Sequence, residues 1–360
     1  MASDGGPKEL EAVRRLAEAR LGGRVRSMVP ISAGLGSRRF YRLELDAGRV
    51  SSAIARVDLP EEQAFRPEAA APEPELEPVR QWMEDGGLPV PRGYGREGGI
   101  DLLEDLGAQS LCDAVRNADP ERRFELYRAA TALVPRIQAL PLHAELASSR
   151  RSLDASLIDY KAGQVIEWVL PWSLGRLARP SEAEAVRDAF RHIAEVCAEA
   201  PRRAAHRDLQ STNLMLLSRK EHGRDRLGII DLQGAFVAPP EYDLVCLLCD
   251  AHVALSETEI AAHLSRTRPE LPDAPVETDF DHRFTLLTLS RCGKDLARFR
   301  YATVQRDDPR YASLMPAAAG SVRSAALRAA PWDVRLERIA NLLGSLPEVA
   351  HPDLHEGDPR

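Results

Sequence analysis

Ala205-His206-Arg207-Asp208-Leu209-Gln210-Ser211-Thr212-Asn213, then Leu214-Met215-Leu216-Leu217, a polar turn over residues 218–226, and Leu227-Gly228-Ile229-Ile230-Asp231 form the stretch that decides how this 360-residue chain is read. Its pattern is loop, strand, hairpin turn, strand, and a carboxylate at the end of the second strand. A helix precedes it, with Ser181 and Glu184 spaced as a capping box and Pro201 as its stop.

Phosphoryl transfer asks little of a protein. It needs a carboxylate to orient a hydroxyl and take its proton, and hard oxygen ligands for magnesium on the nucleotide phosphates. Asp208 suits the first task. Asn213 and Asp231 suit the second, because a hairpin over residues 214–230 returns its two ends to one place. His-x-Asp-x4-Asn, followed after a strand pair by Asp, is the kinase catalytic-loop spacing. The bland alternative is that Asp208 and Asn213 cap turns and Asp231 only ends a strand. His206 is expected to pack beneath the loop, and Asp243 either to cap the helix it begins or to hydrogen-bond the loop from below.

Outward from this stretch, Leu10, Val13, Leu16, Ala17 and Leu21 mark an amphipathic first helix stopped by Gly22-Gly23. Strand-like runs follow at Val25–Ile31, Phe40–Leu45 and Val50–Val57, and from Ser110 onward the pattern is mostly helical. Strands first and helices later place a lobe boundary near residue 107. The expected organisation is an ATP-binding lobe over 1–107, a catalytic and substrate-binding lobe over 108–350, and a disordered tail over 351–360.

A net charge of -7 argues against a general nucleic-acid binder. No run approaches the roughly 20 apolar residues of a membrane span, and the start, Met1–Leu10, is polar, which makes the cytoplasm the expected location. Five scattered cysteines do not suggest a disulfide framework, and Cys246 and Cys249 are expected to pack in a buried helix.

At these residues the chain resembles the aminoglycoside phosphotransferase family. Asp231 is followed by Leu-Gln-Gly-Ala rather than Phe-Gly, and Glu241-Tyr242-Asp243-Leu244 arrives with no long activation segment between. Gly87-Leu88-Pro89-Val90-Pro91-Arg92 and Leu102-Leu103-Glu104-Asp105-Leu106-Gly107 look like the strand and hinge of small-molecule kinases. The resemblance implies an α+β, two-lobed protein-kinase-like fold, with a small β-rich N-lobe and a larger, mostly helical C-lobe. It also implies ATP and Mg2+ as cofactors. Gly34, Gly36 and Ser37 would then cover the phosphates, and backbone groups of Leu103, Glu104, Asp105 and Leu106 would meet the adenine. The third strand carries no lysine, so Arg56 is the expected phosphate ligand there, with Glu75 or Glu77 as its partner.

Within the family, Ile230–Ala235, Pro239–Asp250 and Arg291-Cys292-Gly293-Lys294 look like the bacterial cell-wall-recycling kinases, which phosphorylate the anomeric hydroxyl of N-acetylmuramate and N-acetylglucosamine. The chain departs from them at Leu209-Gln210, where an aromatic is usual, and at Gly234, where Asp is common. Arg291 and Lys294, three apart on one helix, form either an anion-binding pair or a solvated basic face. An aminoglycoside kinase, or a nucleotide-binding protein without turnover, are the competing readings.

Overall fold

In a computed structural model, described over residues 6–31, 38–58, 74–218 and 225–346, the first helix, α1 (Pro7–Leu21), buries Val13, Leu16, Ala17 and Leu21. It stops where Gly22 takes a left-handed φ of 74°, a conformation that costs glycine little. The apolar stripe of α1 covers one side of a five-stranded antiparallel sheet, in the order β1-β2-β3-β5-β4. Its strands are β1 (Arg24–Ile31), β2 (Arg39–Asp46), β3 (Ser52–Val57), β4 (Gly93–Glu97) and β5 (Ile100–Glu104), and α2 (Leu76–Asp85) is inserted after β3. Val25, Tyr41, Leu43, Leu45, Ala53, Ala55, Ile100 and Leu102 fill the core beneath α1. Period-2 burial on β2 and period-3.6 burial on α1 therefore meet in one apolar layer.

The chain divides into two compact units, one of Met1–Ala108 and Met215–Ile230, the other of Gln109–Leu214 and Asp231–Arg360. The second is mostly helical. It holds α3 (Leu111–Arg116), α4 (Pro120–Thr131), α5 (Leu133–Gln138), α6 (Ala147–Arg150) and α7 (Ala155–Gln164). A π-helical stretch, Val165–Val169, then leads into α8 (Leu170–Leu174) and α9 (Pro180–Glu199). The short strands of this unit are β6 (Arg203–Ala205) and β9 (Phe236–Ala238), which lie antiparallel, while the pair β7 (Leu214–Leu216) and β8 (Leu227–Ile229) is carried, from Met215 on, by the segment Met215–Ile230 of the first unit. The last helices are α10 (Tyr242–Leu248), α11 (Glu257–Thr267), α12 (Glu277–Gln305), α13 (Met315–Ala329) and α14 (Val334–Leu343). Among the described residues no helix is long and apolar enough to cross a membrane.

One helix start differs from its sequence reading. α9 begins at Pro180, not Ser181, and the Glu182 carboxylate, not Glu184, accepts the Arg179 N–H at 2.7 Å. Proline at the first helical position gives up no hydrogen bond and brings its φ already set, so it takes that place ahead of the serine. The Cys246 side chain is buried, as expected of core packing, and Cys249 caps the end of α10.

Two features of the packing generate predictions. A Cβ on Gly23 would meet the Asp46 carbonyl and lie 2.7 Å from the Gly48 nitrogen, both backbone atoms that cannot swing aside. Gly23→Ala is expected to destabilise by roughly 1–3 kcal/mol, the usual cost of forced overpacking, seen as a lower urea midpoint.

The second is Lys161, 3% exposed on α7, whose amine donates to the Tyr242 hydroxyl at 3.2 Å. Burial, reinforced by the Arg291 charge, pushes that amine down to about 7 from an ordinary 10.5. Between those values the unfolded chain holds the proton and the fold does not, so the contribution of Lys161 to stability rises with pH. The penalty is complete below the folded value and gone above the unfolded one. The urea midpoint is therefore expected to rise between about pH 7 and about pH 9 by more in the native chain than in Lys161→Met, when the two are titrated side by side.

Candidate active site

The loop between β6 and β7 is held from behind by two buried carboxylates. Asp243, in the first turn of α10, accepts the backbone N–H of His206 at 2.7 Å and of Arg207 at 3.0 Å. This is the second of its two expected roles; the helix begins at Glu241 without a side-chain cap. Asp250, just past the same helix, accepts the Ser211 N–H at 2.8 Å and the Ser211 hydroxyl at 2.5 Å on one oxygen. Its other oxygen faces His252 Nδ1 at 2.7 Å. One short helix thus grips the loop on both sides of Asp208. His206 is fully buried beneath it, as its position in the motif implied.

The grip holds a strained backbone. Arg207 has φ 82° and Asp231 φ 63°, a left-handed conformation that side chains other than glycine adopt at a cost of order 1–3 kcal/mol. Charge-assisted hydrogen bonds from Asp243 offset that cost at Arg207. At Asp231, one carboxylate oxygen accepts from the buried Gln233 amide at 2.5 Å.

Asp208 projects from this loop with its side chain 35% exposed and accepts from Arg291 Nη2 at 2.8 Å. Burial pushes its carboxyl up, but the charges of Arg291, Lys294, Arg207 and Arg298 more than reverse this, leaving it well below the ordinary carboxylate range. It is an anion at neutral pH. Arg291 is 3% exposed on α12 and is neither a solvated basic face nor an open anion site. Its charge is shared between Asp208 and Asp295, and its Nε donates to the Cys246 sulfur at 3.3 Å. Burial pushes the Cys246 thiol up to about 11, so it stays neutral and donates to the Arg207 carbonyl at 3.2 Å.

Asn213 sits in the turn that ends the loop. Its Nδ2 donates to the Asp208 carbonyl at 2.9 Å, which leaves its amide oxygen as a hard neutral ligand. The exposed Asp231 supplies a carboxylate. Among the described residues no group of three or more His, Cys, Asp or Glu could hold a metal. The Asn213 amide oxygen and the Asp231 carboxylate are hard oxygen donors of the kind that could hold a hard cation. Gly234 lies against Asp208: a Cβ there would stand 3.8 Å from Oδ2, in ordinary contact.

In the first unit, Leu103 and Glu104 end β5, and the ladder stops there, so the peptide groups of Asp105 and Leu106 lie outside the sheet. The Asp105 carboxylate is occupied by Arg42, at 2.9 and 3.1 Å, and by the Gly107 N–H at 3.0 Å. Gly34, Gly36 and Ser37 lie outside the described residues. Arg56 does not meet the glutamate expected of it. It is 4% exposed and pairs with Asp101 of β5 at 2.5 Å and with Asp58 at 2.9 Å. Glu77 is engaged instead by Arg80, at 2.7 Å. A strand arginine reaches across to the neighbouring strand because Arg56 and Asp101 are register partners, a pairing that only the folded sheet reveals.

The sequence alone did not disclose the roles of Asp250 and Ser211, the contacts of Cys246, or the role of Arg291. Ser211 lies inside the motif, but its partner is 39 residues away.

Comparison with known proteins adds three observations. The sequence profile of the phosphotransferase enzyme family matches residues 27–275. A relative from Pseudomonas aeruginosa, named N-acetylmuramate/N-acetylglucosamine kinase, is 25% identical over 330 residues, covering 90% of this chain and 89% of the relative. One of the same name from Caulobacter vibrioides is 29% identical over 251 residues, covering 65% of each. Among solved structures, choline kinase from Streptococcus pneumoniae superposes with a TM-score of 0.59 at 15% identity, over 88% of this chain and 99% of that one. An ADP-bound aminoglycoside phosphotransferase gives 0.55 at 11% identity, over 88% and 97%. The likeness in structure gives a protein-kinase-like fold. The matched span contains the gripped loop, the hairpin and α10, and by that match the chain belongs to the phosphotransferase enzyme family and is a kinase acting on a hydroxyl group.

Proposed function

We propose that this chain transfers the γ-phosphoryl group of ATP to the anomeric hydroxyl of an amino sugar of the N-acetylmuramate or N-acetylglucosamine type. The observation that carries the chemistry is Asp208: an ionised, part-exposed carboxylate on a loop that Asp243 and Asp250 hold in place. The acceptor is inferred from the relatives so named, one of them aligned over nine-tenths of this chain.

Asp208 accepts the hydrogen bond of the incoming hydroxyl, aligns its oxygen, and takes its proton as the new bond forms. A loose transition state asks mainly for this positioning, so a base of low proton affinity suffices. Asn213 and Asp231 would hold magnesium. When bound, the ion neutralises charge on the phosphate oxygens. In the first unit, the backbone of Leu103, Glu104, Asp105 and Leu106 is the proposed adenine contact, and Gly34, Gly36 and Ser37 the proposed phosphate loop. Arg56 is kept as a candidate phosphate ligand, one whose guanidinium a phosphate would have to share with Asp58 and Asp101.

The charge around Asp208 bears on the acceptor. Arg291, Arg207 and Arg298 bring positive charge to its surroundings, and Asp295 is already paired with Arg291. A polycationic aminoglycoside would be repelled by these groups, whereas a neutral or acidic sugar would not.

Three experiments test the reading. With Mg-ATP, ADP release is expected with N-acetylmuramate or N-acetylglucosamine and not with aminoglycosides; release driven by aminoglycosides alone would reverse the assignment. Asp208→Asn is expected to cut turnover by about 10²-fold or more while leaving ATP binding nearly intact. Asp231→Ala is expected instead to abolish the magnesium-dependent part of ATP binding, read by titration with and without the metal.

A further inference from the structure

We propose that Arg291 is a positioning residue, whose buried guanidinium sets the orientation of the Asp208 carboxylate. The proposal rests on the reading of Asp208 as the base. Two nitrogens of the guanidinium donate hydrogen bonds and the third forms an ion pair, each with a different group. Nη2 donates to Asp208 Oδ1 at 2.8 Å, Nη1 pairs with Asp295 one helical turn later, and Nε donates to the Cys246 sulfur at 3.3 Å. Cys246 in turn donates to the Arg207 carbonyl at 3.2 Å. The arginine is therefore tied both to the side chain of Asp208 and, through one thiol, to the peptide that precedes it.

The consequence lies in which oxygen is left for the acceptor. Oδ1 is taken by Arg291, whereas Oδ2 is not and lies toward Gly234, whose missing side chain would stand 3.8 Å from it. A carboxylate on an otherwise part-exposed side chain could turn about χ2 with little hindrance, since that torsion is broad. The fork of Arg291 removes this freedom and leaves Oδ2 to receive the hydroxyl. Arginine is required because only its planar fork reaches three partners at fixed angles; a lysine offers a single point charge. The 29-residue helix α12 supplies the rigidity. It is anchored a few turns earlier by Arg283, which donates to the fully buried Glu241 at 2.8 and 3.0 Å, next to the clamp residue Asp243.

A double-mutant cycle tests this. Arg291→Met is expected to lower kcat about tenfold to a hundredfold, the scale of a misplaced catalytic group, with the KM for ATP little changed. In an Asp208→Asn background the same substitution is expected to lower kcat no further, because the group it positions is already disabled. Arg291→Lys keeps the buried charge, so it protects folding if the methionine variant fails to fold, and it is expected to recover only part of the loss. Losses that multiply across the cycle would overturn the proposal, as would wild-type kcat in Arg291→Met or in Arg291→Lys. If Asp208→Asn alone kept wild-type turnover, the assignment of the base would fail instead, and the two failures are distinguished by that single variant.

Discussion

The bonds from Asp243 to the His206 and Arg207 amides are the constraint on which the site depends. Arg207 stands at a φ that a non-glycine residue leaves readily unless held. Two charge-assisted bonds to a buried carboxylate are strong enough to hold it, each of order 1.5–3 kcal/mol. Were they lost, the two amides would be buried without acceptors, and the loop would relax toward ordinary φ and swing Asp208 away. Burial pushes the Asp243 carboxyl up from its ordinary range, and the two amide hydrogen bonds oppose that shift. Asp250 performs the matching task on the other side of Asp208, through Ser211. Since both carboxylates flank one seven-residue helix, the loop cannot shift on one side without the other.

What the sequence disclosed and what it hid follow from distance along the chain. The spacing of Asp208, Asn213 and Asp231 is local, and a loop followed by a tight hairpin leaves few ways to arrange it. The stripe of α1 and its stop at Gly22 are local too, and both stand in the structure. Contacts such as Arg291 to Asp208, 83 residues apart, carry no signal in composition or period. Arg291 and Lys294 read as a basic helix face because their spacing says which side of a helix they share. Spacing does not say whether that side meets water or a carboxylate. The same applies to Arg56, whose partner proved to be its cross-strand neighbour Asp101 and not a helix glutamate. Proteins place such long-range polar contacts where function needs them and local rules give no hint.

Arg56 also shows how the first unit differs from a simple expectation of one cation for the phosphates. Its guanidinium is shared by Asp58 and Asp101, which Arg96 also contacts, at 3.1 and 3.0 Å. An arginine so neutralised contributes more to the register of β3 on β5 than to a free positive potential. The buried fork is worth keeping only if its partners stay, since removing one carboxylate would strand a charge away from water.

The two departures from the cell-wall-recycling kinases have unequal weight once their places are known. Leu209 is fully buried, so a leucine in place of an aromatic there alters packing under the loop. Gly234 is different, because its missing side chain lies directly beside Asp208 Oδ2. An aspartate at this position would set a second anion next to the base, raising the proton affinity of both and drawing on the same cations. Without it, the cations near Asp208 are shared with Asp295 but with no carboxylate at position 234. Of the two departures, then, only the one at position 234 stands next to the base itself.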